Sequence, residues 1–134
     1  MAANSTDIDY AALAEFRYAL RRFQVFSETK AAEAGLKPQQ HQALLAIRGA
    51  PPDEATVGYV ARRLIVKPHS ASELIDRLET LGLVRRELTQ SDRRRALLRL
   101  TPQALDILSI LSAAHREELR QLQPLLVEHL SKLS

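Results

Sequence analysis

PHSASELIDRLETLGLVRRELTQSDRRRALLRLT, residues 68–101, is the stretch on which the fold turns. Pro68 opens a helix at its first position, where the missing N–H costs nothing. Leu74, Ile75, Leu78 and Leu81 then fall on one face of a helix over 68–81, and Gly82 supplies its left-handed stop. Ser70, Ser72, Glu73 and Arg77 lie away from that face. Two short extended runs follow, Leu83-Val84-Arg85-Arg86-Glu87-Leu88 and Ala96-Leu97-Leu98-Arg99-Leu100, about the polar tip 89–95. They read as a β-hairpin, although Leu and Arg are not strong strand formers.

Upstream, Thr56 is an N-cap for a short helix over 57–64, and Ile65-Val66-Lys67 connects it to the helix at 68. Two helices on a short connector, the second presenting small polar side chains at its front, follow the logic of helix-turn-helix readers of double-stranded DNA. In such readers the front turn of the second helix meets base edges in the major groove. Here that turn offers His69, Ser70, Ser72 and Glu73, with Arg77 one turn deeper. At the hairpin tip stand Asp92 and the run Arg93-Arg94-Arg95. A narrow arm tipped with arginine suits the minor groove; taken alone, the same run is equally a solvated loop.

Further out the chain is helical. Pro38 opens a helix whose buried face is Ala43, Leu44 and Ile47, and Gly49-Ala50-Pro51-Pro52 ends it. Before it, Leu13, Phe16, Leu20 and Phe23 form a seam on a helix over 8–34, Phe26 extends the apolar surface, and Asp7 and Asp9 suit its N-terminus. After the hairpin, Thr101-Pro102 starts a helix carrying Leu105, Leu108, Leu111, His115, Leu119 and Leu122. Pro124 is expected to interrupt it, leaving a last short helix with Leu126, Leu130 and Leu133. So long a leucine stripe exceeds what a small winged module can bury. It is expected to pack on the first helix and on a second copy of the chain, through Leu13, Phe16, Leu20, Leu119, Leu122, Leu126 and Leu130. The expected fold is mainly α with a small β-hairpin wing: a winged helix-turn-helix over 38–100 within a single domain, framed by dimerisation helices over 8–34 and 102–134.

Composition agrees. Of 134 residues 46% are hydrophobic and only 4% aromatic, with four glycines, a bias that favours helix over sheet. No cysteine is present, which excludes disulfides and thiol-based redox chemistry. The start lacks the basic and apolar regions of a signal peptide, and no apolar run reaches the roughly 20 residues of a membrane span, so a cytoplasmic location is expected. Residues 56–99 hold ten basic and five acidic side chains, a net of +5; with +3 for the whole chain, the rest carries −2. A basic middle between slightly acidic ends points to a polyanion-binding module.

At 64–101 the residues resemble the multiple-antibiotic-resistance-regulator (MarR) family of winged-helix repressors and activators. The pieces that carry the resemblance are the helix Ser70-Ala71-Ser72-Glu73-Leu74-Ile75-Asp76-Arg77-Leu78-Glu79, then Leu81-Gly82-Leu83-Val84-Arg85-Arg86, the wing Ser91-Asp92-Arg93-Arg94-Arg95-Ala96, and Leu100-Thr101. The resemblance implies a homodimer on a pseudo-palindromic operator. Asp92 would brace Arg94 while Arg93 or Arg94 reaches the minor groove, and His69, Ser70 and Ser72 would face the major groove. Arg86 joins the implied DNA-binding set. A small anionic or phenolic effector often binds between the two parts of such proteins; Arg17 and Arg21 are weak candidates to hold one. Two departures stand out. Ala104 takes a place usually held by Gly, and Glu73 stands where a basic or neutral residue is common, so it either reads a cytosine or repels phosphate.

Other function classes find little support. His41, His69, His115 and His129 contain no pair at helical metal-ligand spacing, so no metal or cofactor is expected. The isolated glycines build no phosphate-cradling loop, and no serine sits in a nucleophile elbow, so an enzyme is not expected. The rival of a different class is a winged helix used for protein contact, which would lack salt-dependent binding to duplex DNA.

Overall fold

The computed structural model describes residues 9–88 and 96–133. The wing tip, with Asp92, Arg93 and Arg94, lies outside them, as do Asp7 and Ile8. The described elements run α1 (Tyr10–Glu33), α2 (Pro38–Gly49), α3 (Val57–Leu64), α4 (Pro68–Thr80), β1 (Val84–Leu88), β2 (Ala96–Leu100) and α5 (Pro102–Leu133).

Local chemistry places most of the boundaries. Asp9 caps α1 by accepting from the Ala12 N–H at 2.9 Å, and Thr56 caps α3 by accepting from the Tyr59 N–H at 3.1 Å. Thr101 caps α5 by accepting from Ala104 N–H, while its own hydroxyl donates to the Gly82 carbonyl at 2.8 Å. That second bond ties the start of α5 to the end of α4. Helices α1 and α4 stop in the same way. Gly35 and Gly82 take φ of +80° and +74°, Leu36 N–H returns to Ala31 O, and Leu83 N–H returns to Leu78 O. Each reversal then drives the leucine after the glycine into the core.

The turn between α3 and α4 has the same geometry without a glycine. Val66 N–H returns to Ala61 O, and Ile65 holds the left-handed position at φ +56° while 92% exposed. A β-branched side chain there crowds its own carbonyl and gains almost no burial in return. Ile65→Gly is therefore expected to stabilise the fold by about 1 kcal/mol, the strain relieved exceeding the entropy glycine adds to the unfolded chain. Urea unfolding measures it, and a loss of stability would show that the turn is not strained.

The core joins α2, α3, α4 and β2: Leu44, Val60, Ile75, Leu78 and Leu98 are the largest side chains without solvent contact. Full burial of each such group contributes about 1.5–3 kcal/mol. Strands β1 and β2 pair antiparallel, with Val84 opposite Leu100 and Arg85 opposite Arg99. Leu98 N–H also donates to Ala55 O at 2.7 Å, fastening the hairpin to the loop before α3.

Two expectations need correction. Pro124 does not end the last helix: α5 runs unbroken from Pro102 to Leu133, so the described residues hold five helices where six were expected. Proline removes a single hydrogen bond, and Pro124 is exposed, so the carbonyl it frees can meet water. Leu81 is 52% exposed rather than on the buried face, because α4 stops at Thr80 and its buried stripe is Ala71, Ile75 and Leu78.

Helices α1 and α5 pack along each other. Ala12, Ala19 and Ala31 are the buried residues of α1, small enough for close approach. Where this frame meets α2, two histidines far apart in sequence come together. The rings of His41 and His115 lie 5.0 Å apart, and Phe23 and Phe26 pack edge-on against His115. His115 Nδ1 lies 2.6 Å from Leu111 O. A carbonyl only accepts, so Nδ1 carries the proton, and in the neutral ring Nε2 accepts from the Ser27 hydroxyl at 2.8 Å.

His41 is 95% buried by surface area, being 5% exposed. Burial lowers its pKa below the usual 6.5, and the neighbouring His115 acts in the same direction. The unfolded chain therefore binds the proton more tightly than the folded one. The stability carried by neutral His41 is present above pH 6.5 and is lost as pH falls through the lowered folded value. Denaturant unfolding across pH 7.5 to 5 is expected to show this fall in the parent and a flatter profile in His41→Gln. Identical profiles would refute it.

Candidate nucleic-acid interface

Helix α4 is held by one face and free on the other. Ala71, Ile75 and Leu78 anchor it, and Leu74 is half-buried. The predicted reading residues His69, Ser70, Glu73 and Arg77 are all exposed, and Ser72 is half-buried. This follows from helical periodicity: once 71, 75 and 78 face inward, 69, 70, 73 and 77 must face out. Pro68 starts the helix, and the Lys67 side chain makes no cap. The front turn thus presents backbone N–H groups and the positive end of the helix dipole.

Two ion pairs shape this surface. His69 Nε2 lies 3.1 Å from Glu73 Oε1, one turn apart and both well exposed. Glu73 thus has its charge engaged whenever His69 is protonated. Arg86 donates to Asp76 Oδ1 at 2.7 Å and reaches Glu79 at 3.8 Å. Its guanidinium is held between two carboxylates of α4, so the geometry makes it a strut between wing and helix. In water such a partly exposed pair contributes little stability; it links β1 to α4. The predicted wing-tip contacts Asp92, Arg93 and Arg94 lie outside the described residues.

Sequence reading missed the neighbour of the exposed face of α4. Lys37, Pro38 and Gln39, at the start of α2, line one groove with Ser70, Glu73 and Arg77. A second helix N-terminus, with its lysine, therefore borders the exposed face of α4. The Lys-Pro pair was a visible helix-start signal, but nothing local told which helix it would abut. Arg62 and Arg63 of α3 and Lys67 of the turn are also exposed.

Of the predicted dimer residues, Leu13, Leu20, Leu119 and Leu130 are 39%, 41%, 46% and 49% exposed, and Phe16 and Leu126 are half-buried. Leu122 differs: it is 4% exposed, buried within its own chain. Arg116, Leu119, Gln123, Leu126 and Leu130 line a groove along the far end of α5, at the spacing of one helix face. Arg17 and Arg21 are exposed on α1.

Among the described residues no group of three or more histidines or carboxylates is placed to hold a metal ion. None of the described helices is long and apolar enough to cross a membrane.

No curated protein matches the sequence. The chain is similar to the solved structure of a probable transcriptional regulator from Pseudomonas aeruginosa, with 28% identity and a TM-score of 0.66. That match covers 87% of this chain and 86% of the other. It is also similar to AbsC, a MarR family transcriptional regulator from Streptomyces coelicolor, with 23% identity, TM-score 0.71, and 90% and 81% coverage. A third similar structure is the S. aureus MepR–DNA complex, with 21% identity, TM-score 0.69, and 96% and 87% coverage. At the two lower identities the likeness is one of fold. The family model that matches, over residues 34–95, is that of the MarR family. That span takes in α2, α3, α4, β1 and residues 89–95.

Proposed function

We propose that this chain is a homodimeric transcription regulator that binds double-stranded DNA in a sequence-specific way. The observation that carries the reading is the free face of α4. Four polar or charged side chains, His69, Ser70, Glu73 and Arg77, are exposed at or near the front of a helix rigidly packed from behind. An outward helix face is polar in any soluble fold; what favours DNA is that these groups stand at the helix's positive end beside Lys37, where base edges and phosphates can be met. The fold is shared with a structure solved on DNA, and the basic excess of residues 56–99 lies in the same part of the chain.

In this reading Ser70, Ser72 and Arg77 face bases, and His69 and Lys37 face phosphates. Arg93 or Arg94 enters the minor groove, braced by Asp92. Arg86 supports the wing, and Glu73 is masked by His69. Two copies joined through α1 and the outer face of α5 would set the two α4 helices on a pseudo-palindromic operator with half-sites about 10 bp apart. An effector that favours one spacing of those helices would regulate occupancy. Such a protein works in the cytoplasm and catalyses nothing.

Arg94→Ala is expected to weaken binding to random and selected duplexes alike and to lower the slope of log K against log salt by about 1. Fluorescence anisotropy across a salt series measures both. Unchanged affinity and slope would remove Arg94 from the interface, and salt-independent binding by the parent would favour a protein-contact role instead.

A further inference from the structure

The outermost position in the front half of α4 is acidic. Ala71, Ile75 and Leu78 mark the buried side of the helix. At about 100° per residue, Glu73 falls within roughly 15° of the direction opposite to them, and His69 lies beside it. Ser70 and Arg77 stand on one flank and half-buried Ser72 on the other. The side chain of Glu73 is 65% exposed and that of His69 85%, so a groove that receives the free face of α4 meets this pair first.

His69 engages one oxygen of Glu73 and leaves the other open. Its Nε2 lies 3.1 Å from Oε1, and among the described residues Oε2 has no hydrogen bond or ion pair. Lys37 and Arg77 line the same groove without pairing with this carboxylate. The other acids of α4, Asp76 and Glu79, both reach Arg86. Glu73 is thus the carboxylate of α4 with an acceptor to spare, and its tie to His69 one turn back limits where that acceptor can point.

A carboxylate only accepts, and the major groove offers it few partners. Guanine presents N7 and O6, both acceptors, and thymine presents O4 and a methyl group. Adenine has an N6–H donor, but the acceptor N7 stands beside it. Cytosine alone presents a donor, N4–H, with no acceptor next to it. We propose, on the reading of α4 as the DNA-facing helix, that Glu73 is a specificity-determining residue that accepts from a cytosine N4–H through Oε2, and that His69 is the positioning residue that holds it there. With Nε2 committed to Glu73, Nδ1 is the His69 atom left to meet a phosphate. A negative charge between two rows of phosphates costs binding at every sequence, and the bond to cytosine offsets that cost only where the base is right. Glu73 therefore acts as much by rejecting other sites as by holding its own.

The test selects duplexes from a random pool with the full chain and with Glu73→Ala, then measures fluorescence anisotropy on the winners. The parent is expected to fix cytosine at one position of each half-site. Glu73→Ala is expected to lose the preference at that position alone, and to bind random duplex more tightly than the parent. Replacing that cytosine by pyrimidin-2-one, which lacks the 4-amine, should weaken the parent about tenfold and leave Glu73→Ala indifferent. His69→Ala should keep cytosine as the preferred base at that position with a smaller ratio, the other positions unmoved. A selected motif in which every preference survives Glu73→Ala would overturn the assignment while leaving the DNA-binding reading intact. So would a parent that binds the pyrimidin-2-one duplex as well as the cytosine duplex. A loss of preference at all positions in His69→Ala would make that residue a general contact and end its positioning role. A parent that binds no duplex would overturn both readings together.

Discussion

A chain carrying Leu119→Glu and Leu130→Glu is expected to sediment as a folded monomer and to bind duplex DNA at least about 100-fold more weakly than its parent. The two leucines are 46% and 49% exposed and line one groove on the outer face of α5 with Leu126 between them. Neither is buried in the core of its own chain, so the helix should survive with its circular dichroism unchanged. What the substitutions remove is apolar area at the proposed seam, and each adds a carboxylate that an apolar interface would have to bury unpaired. Separating the reading heads abolishes the gain from holding two at once, which is typically 10²- to 10⁴-fold. Leu122 is the contrasting position. It is buried within the chain, so Leu122→Glu is expected to unfold the protein rather than split a dimer. A double variant that stays dimeric would move the seam away from this groove.

Leu78→Ala is expected to cost about 2–5 kcal/mol. Leu78 has no solvent contact and packs in the cluster that joins α2, α3, α4 and β2, so the cavity it leaves has little room to collapse. Its backbone carbonyl also receives the Leu83 N–H that turns the chain into the wing. That bond survives the substitution, and the loss measured is therefore one of packing. Against a total of about 5–15 kcal/mol, the variant should unfold at much lower urea with an unchanged m-value. A loss below about 1 kcal/mol would mean that α4 is not anchored where the structure puts it. The proposed DNA-reading face would then lack the rigid backing that specific readout needs.

Much of this architecture was legible because it is written locally. Thr56 and Thr101 cap helices through their own hydroxyls. Gly35 and Gly82 occupy the only kind of backbone that favours glycine, and the stripe at 75 and 78 shows which side of α4 is dry. The features that escaped notice depend on neighbours distant in sequence. No local pattern says that His41 will meet His115, that Arg86 will turn back to Asp76, or that Arg48 will face a wing strand. Periodicity assigns Leu122 to an apolar face without saying whether that face meets α1 or another chain. Pro124 misled for the opposite reason: the local rule that proline ends helices is sound, but one missing hydrogen bond on a solvent-exposed turn does not outweigh a long packed helix. Ile65 breaks a local rule too, occupying a left-handed turn position that the residue type resists.

The central claim is that two copies of this chain present a pair of α4 helices to one duplex. Sedimentation of the purified chain with a duplex selected from a random pool tests it most directly. The account predicts a complex with the mass of two chains and one duplex, lost steeply as salt is raised. A complex of one chain per duplex, or no complex at low salt, would contradict it.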